Sequence, residues 1–106
     1  MNIKFNYLYR DASNFKNYCE VVFSNPNGKS LDEIERLVRD NLIEGCWFIA
    51  NEWKMPDAHF MNYSWDNQID HEWHEFESIQ ETKEETTHEI NINEFLSRIK
   101  LFTNKL

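Results

Sequence analysis

Glycine and proline are scarce, with two of each in 106 residues. So few turn-formers argue against a many-turned all-β sandwich, and two glycines cannot build a Gly-rich phosphate loop. Cysteine is equally sparse. Cys19 and Cys46 are too few for a disulfide framework and have no C-x-x-C spacing; apolar neighbours make both read as small core residues. No apolar run approaches membrane-spanning length, and the N-terminal MNIKFNYLYR lacks the apolar region of a signal peptide, which points to a cytoplasmic protein. Cations are missing over one long stretch. Residues 66–89 hold nine carboxylates against Lys83 alone. Phosphates would be repelled there, so direct contact with nucleic acid or an anionic membrane is disfavoured.

What the chain does contain is material for a core. Hydrophobic residues make up 41% and aromatics 15%. At this length roughly two-thirds of the unfolded surface can be buried, enough for one domain. The net charge is −8 and unevenly spread. Residues 1–30 carry 4 basic and 2 acidic side chains, residues 31–90 carry 4 and 16, and residues 91–106 carry 3 and 1. Acidity of this kind favours solubility and basic partners.

Hydrophobic periodicity divides the chain. Ile3, Phe5, Tyr7 and Tyr9 alternate with Lys4, Asn6 and Arg10, the pattern of a half-buried strand. Residues 18–24, YCEVVFS, read as its antiparallel hairpin partner. Asn25-Pro26-Asn27-Gly28 marks a turn, and Ser30-Leu31-Asp32-Glu33 a capping box that opens a helix. Leu31, Ile34, Leu37, Val38 and Leu42 form its apolar stripe, with Gly45 as a natural C′ residue. Residues 46–57 fit a strand or a helical turn equally well. Alternation over 59–65 suggests a third strand, and 71–79 a fourth, paired to it as a second hairpin.

Residues 80–89, QETKEETTHE, read as a mobile charged linker. An amphipathic helix follows, opened by Asn91 and Glu94, with Phe95, Leu96, Ile99 and Phe102 on one stripe. The expected architecture is α+β: a four-stranded antiparallel sheet in the order β-β-α-β-β with one helix on a face, plus a C-terminal amphipathic helix. A domain over 1–80, a linker over 81–90 and a helix over 91–106 follow from this division.

FNYLYRDASNFKNYCEVVFSNPNG (5–28) and DHEWHEFESIQET (70–82) resemble a family of small uncharacterised bacterial proteins. The likeness covers about residues 2–82 and implies a bacterial or mobile-element origin. It supplies no activity, ligand or catalytic residue.

Asp70-His71-Glu72-Trp73-His74-Glu75 is the densest cluster of groups with chemistry. His and carboxylates are metal ligands, but on a strand His71 and His74 point to opposite faces. A metal-assisted hydrolase using His59, His71, His74 and nearby carboxylates is therefore the alternative reading, and a solvated strand face the preferred one. The serines lack a G-x-S-x-G context and neither cysteine has a histidine near it in sequence. The expectation is a non-catalytic protein without cofactor or metal, whose acidic face, mimicking a nucleic-acid backbone, binds a basic, nucleic-acid-handling protein. A phage or mobile-element inhibitor of the anti-CRISPR kind is a concrete version. Asp70, Glu72, Trp73, Glu75 and Glu77 are the expected partner contacts. Phe95, Leu96, Ile99 and Phe102 are expected to serve association, a homodimer included, because an undocked apolar stripe is rarely tolerated. A small-molecule module lined by the aromatics is a third reading.

Overall fold

The computed structural model describes residues 1–11, 13–58 and 73–103, with side chains through residue 101. The expected strand over 59–65, the candidates His59, Asp70, His71 and Glu72, and the side chain of Phe102 lie outside the described residues.

The fold is α+β, with four antiparallel strands and two helices among the described residues. In chain order these are β1 (Asn2–Arg10), β2 (Lys16–Phe23), α1 (Leu31–Asp40), β3 (Trp47–Ile49), β4 (Trp73–Thr82) and α2 (Ile92–Thr103). The sheet order is β2-β1-β4-β3, so the N-terminal strand is central. Strand β3 comes from the segment whose periodicity was ambiguous between strand and helical turn. Strand β4 pairs with β1 along its length and with β3 only at Trp73–Glu75.

Local chemistry explains the boundaries. The Asn25 side chain accepts from Lys29 N–H (3.1 Å) and donates to Lys29 C=O (2.9 Å), and Gly28 takes the positive φ (63°) that this turn requires. Ser30 Oγ then accepts from Glu33 N–H at 3.2 Å to cap α1. The helix stops earlier than Gly45. Asn41 closes it, its N–H bonding Val38 C=O (3.0 Å) and its side-chain amide donating to Leu37 C=O (2.7 Å). Gly45, at φ 73°, instead forms the tight turn into β3, where Ile43 and Trp47 exchange both backbone hydrogen bonds. Both cysteines are free thiols: half-buried Cys19 packs against the core as expected, whereas exposed Cys46 lies in that turn rather than in the core.

One face of the sheet is the core. Ile3, Phe5, Tyr7 and Tyr9 of β1 are fully buried with Val21 and Phe23 of β2, Ile79 of β4 and Phe48 of β3. Both helices pack there, α1 through Ile34 and Val38, α2 through Ile92, Phe95, Leu96 and Ile99. The Phe95 ring stacks on Phe23 at 4.6 Å and meets Phe5 edge-on at 5.6 Å. Thus the C-terminal stripe docks on the chain's own sheet, and the association role expected for Phe95, Leu96 and Ile99 gives way to a core role. The reason is that β4 and α1 leave the core face incomplete without it.

The segment expected to be a mobile linker is tied down at four points. The Asn2 side chain donates to Glu84 C=O (2.8 Å), and Lys4 pairs with the Glu84 carboxylate. Thr87 N–H bonds Val22 C=O while Thr87 Oγ1 accepts from Val22 N–H, both at 2.9 Å. The His88 ring lies 5.2 Å from Phe23, and Ile92 N–H bonds Ser24 C=O at 2.9 Å. Residues 83–91 are therefore a strap that leaves β4, passes over the second sheet face at Lys4, and rounds the β2 edge to reach α2. Composition alone concealed this, because side-chain oxygens and backbone groups hold much of the strap, with Ile90 its one apolar residue packed against the core.

Candidate functional site

The second face of the sheet collects the residues that alternate with the core set: Lys4, Asn6 and Arg10 of β1, Tyr18 and Glu20 of β2, Trp73 and Glu75 of β4, and Trp47 of β3. Three expected partner contacts, Trp73, Glu75 and Glu77, are described, and they occupy different situations. Trp73 is 40% exposed and its ring lies 5.4 Å from that of Trp47 on the neighbouring strand. Glu75 is engaged internally: Arg10 Nε donates to Oε1 (2.8 Å) and a terminal nitrogen to Oε2 (3.1 Å), a two-pronged pair. That hydrogen bond holds the Arg10 guanidinium above its usual range.

Glu77 does not repeat Glu75 across one face, as simple strand alternation expects. The β1–β4 register shifts between Asn6, opposite Ser78, and Tyr7, opposite Phe76, so Glu77 is the extra residue of a bulge. It is exposed there.

His74 is buried against the rings of Tyr7, Tyr9 and Phe48. Its Nε2 accepts from Ala58 N–H at 3.0 Å, and the Asp57 carboxylate lies 3.2 Å from the same nitrogen. As a metal ligand His74 would have to give up the Ala58 bond through Nε2. Among the described residues no group of three His, Cys, Asp or Glu side chains is placed to hold an ion. Tyr7 is engaged similarly. Its hydroxyl donates to Pro56 C=O (2.6 Å), and burial, then hydrogen bonding with Cys19, pushes its pKa well above the ordinary value.

The charge pattern is the feature that most distinguishes the surface. Half of the described cations are engaged by carboxylates of the same chain: Lys4 by Glu20 (3.7 Å) and Glu84, Arg10 by Glu75, Lys29 by Glu33 (3.8 Å), Arg36 by Asp40 (3.7 Å) and Arg39 by Glu35 (3.2 Å). Among the described residues, Glu77, Glu81, Glu85 and Glu89 have no cationic partner, and all four are exposed. They follow one another along β4 and the strap. Sequence reasoning named only Glu77 of these, although the other three lay in the same acidic run.

A groove of about 270 Å³ separates α1 from α2, lined by Lys29, Asn41, Asn93, Ser97 and Lys100 with leucines. Among the described aromatics, Tyr7, Tyr9 and Trp53 are in the core, whereas Trp47 is half-buried and Trp73 exposed. No helix among the described residues is long and apolar enough to cross a membrane. No protein-family model matches the chain, and neither a curated protein nor a solved structure shows significant similarity to it.

Proposed function

We propose that this chain is a non-catalytic interaction protein that binds a basic protein partner through the carboxylates running from Glu77 to Glu89. One observation carries the reading. Among the described residues, internal ion pairs engage Lys4, Arg10, Lys29, Arg36 and Arg39, whereas Glu77, Glu81, Glu85 and Glu89 stand exposed with no cationic partner. Such a field steers a basic surface towards these carboxylates and sets association rate more than bulk affinity. Trp73 beside Trp47 adds an exposed aromatic contact of the kind interfaces favour. A partner that handles nucleic acid, with the chain acting as a phage or mobile-element inhibitor of the anti-CRISPR kind, is the specific form of this proposal.

The test begins with a pull-down from the native host to name the partner. Affinity is then compared between the wild-type chain and a Glu77→Lys, Glu81→Lys, Glu85→Lys variant. Each reversed exposed pair is worth about 0.5–1 kcal/mol, so the triple change should weaken binding roughly tenfold to a hundredfold, with circular dichroism unchanged. Binding should also weaken steeply between low and physiological salt. A triple variant that binds as tightly as wild type sinks the proposal.

A further inference from the structure

Among the described residues, the outer edge of β2 is closed over part of its length and open over the rest. Thr87 of the strap takes both outward-facing backbone groups of Val22. The β1–β2 register runs without a shift from Ile3↔Phe23 to Arg10↔Lys16. Backbone direction alternates along an antiparallel strand, so Glu20, Tyr18 and Lys16 share the orientation of Val22. Their N–H and C=O groups point away from β1. The bond from Asp11 N–H to Phe15 C=O (3.0 Å) agrees, since Phe15 belongs to the inward set. Strand β2 ends the sheet, so no described strand meets this edge.

The side chains above that edge are Lys16 and Glu20, both exposed, and Tyr18, 62% exposed; Phe15, 67% exposed, stands at the hairpin end. An unpaired edge bearing exposed aromatics is a template for another strand. The spacing of its charges indicates which strand fits.

We propose that β2 pairs antiparallel with β2 of a second copy about a two-fold axis at Tyr18, joining two sheets into one. In that register Tyr18 faces its own counterpart, Lys16 faces Glu20 of the copy, and Glu20 faces Lys16 of the copy. All three opposed pairs are hydrogen-bonding pairs, each exchanging two backbone bonds. The neighbouring registers fail. A two-residue slide one way sets Lys16 against Val22, whose groups Thr87 already occupies. A slide the other way sets Lys16 against Tyr18 and leaves both charges without opposite partners. The copy's strand also begins at Lys16, where its hairpin turns away, just short of the place that the strap holds.

The charge of the segment that carries this edge is compatible with self-association. Residues 1–30 hold 4 basic and 2 acidic side chains, whereas the excess of carboxylates lies in 31–90. Two chains of net charge −8 therefore meet here through a segment of net charge +2, short of the place where the acidic strap reaches Val22. Glu20 would lie between Lys4 of its own chain, already 3.7 Å away, and Lys16 of the copy. Pairing of identical patches about a two-fold axis is closed, so it ends at a dimer.

Sedimentation equilibrium of the full chain from about 10 µM to about 1 mM tests the proposal. Wild type should show a reversible monomer–dimer equilibrium. Tyr18→Pro removes an outward N–H that β1 does not use and should give a monomer with unchanged circular dichroism. Lys16→Glu and Glu20→Lys, each alone, set like charges opposite each other and should weaken the dimer roughly tenfold. Mixed in equal amounts these two variants are complementary, and the mixture should recover wild-type association. That recovery stands even if the proline variant misfolds. A chain that stays monomeric throughout the range overturns the proposal, as does a dimer that survives in folded Tyr18→Pro or a mixture no tighter than its components.

Discussion

Replacing Phe95 by alanine probes whether α2 belongs to the core. The ring is fully buried, stacked on Phe23 at 4.6 Å, edge-on to Phe5 at 5.6 Å and to Trp53 at 5.7 Å. A buried Phe→Ala change costs about 3–5 kcal/mol from lost transfer energy and the cavity left behind. A domain of this size has a total stability of about 5–15 kcal/mol, so the variant should remain folded but only marginally. Unfolding entropy of about 2.1 cal/mol/K per residue gives roughly 0.2 kcal/mol/K here, and a 4 kcal/mol loss then lowers Tm by about 18 °C. In urea, with a slope of about 2 kcal/mol/M, the midpoint should fall by about 2 M. Buried Trp53, beside the missing ring, makes fluorescence a direct reporter. Leu101→Ala, at a position 64% exposed on the same helix, is the control and should stay within about 0.5 kcal/mol of wild type. A loss below about 1 kcal/mol at Phe95, with an unchanged slope, would refute the docking of α2 and restore a tethered helix.

The strap has a signature in pH. Hydrogen bonding to Lys4 holds the Glu84 carboxyl below the usual carboxylate value of 4.5. A lowered folded-state pKa means the pair contributes fully above 4.5 and is lost as pH falls through the lowered value. An NMR titration should place the Glu84 midpoint below 4.5 in wild type and return it to the ordinary range in Lys4→Met; equal midpoints would remove the pair as the strap's anchor. At His74, the leucine substitution should cost about 1–3 kcal/mol, because buried Ala58 N–H loses its acceptor. A neutral result in urea unfolding would show that the 50–58 loop does not depend on that bond.

The elements easiest to find in the sequence were those whose signals are local. Alternation in β1, the Asn25–Gly28 turn and the Ser30 cap each depend on neighbours within a few residues, and all appear where periodicity and capping chemistry place them. The reciprocal cap of α2 is equally local: Asn91 N–H donates to Glu94 Oε1 (3.1 Å) and Glu94 N–H to Asn91 Oδ1 (2.9 Å). What escaped depended on distant partners. Three residues of β3 become a strand only because β4 lies beside them, and the bulge at Glu77 is a property of the β1–β4 register. The strap reads as disordered from its composition because Thr87 and Glu84 are ordinary solvated residues until Val22 and Lys4 meet them. In the candidate site, the acidic run was visible from charge alone. That Glu75 is neutralised by Arg10, 65 positions away, was not.

The central place of β1 bears on how the chain reaches this structure. Asn2 pairs with Thr82, and Phe5 with Ile79, so closing the middle of the sheet means joining segments more than seventy residues apart. Loop-closure entropy of that length slows folding and leaves the waiting edge of β1 unprotected until β4 arrives. During synthesis the β1–β2 hairpin is complete long before its second neighbour exists, and it carries Phe5, Tyr7 and Val21 with nothing yet to cover them. Such intermediates aggregate through exposed strands. The ribosome-bound nascent chain up to residue 72 should therefore be the most chaperone-dependent stage in the life of this protein.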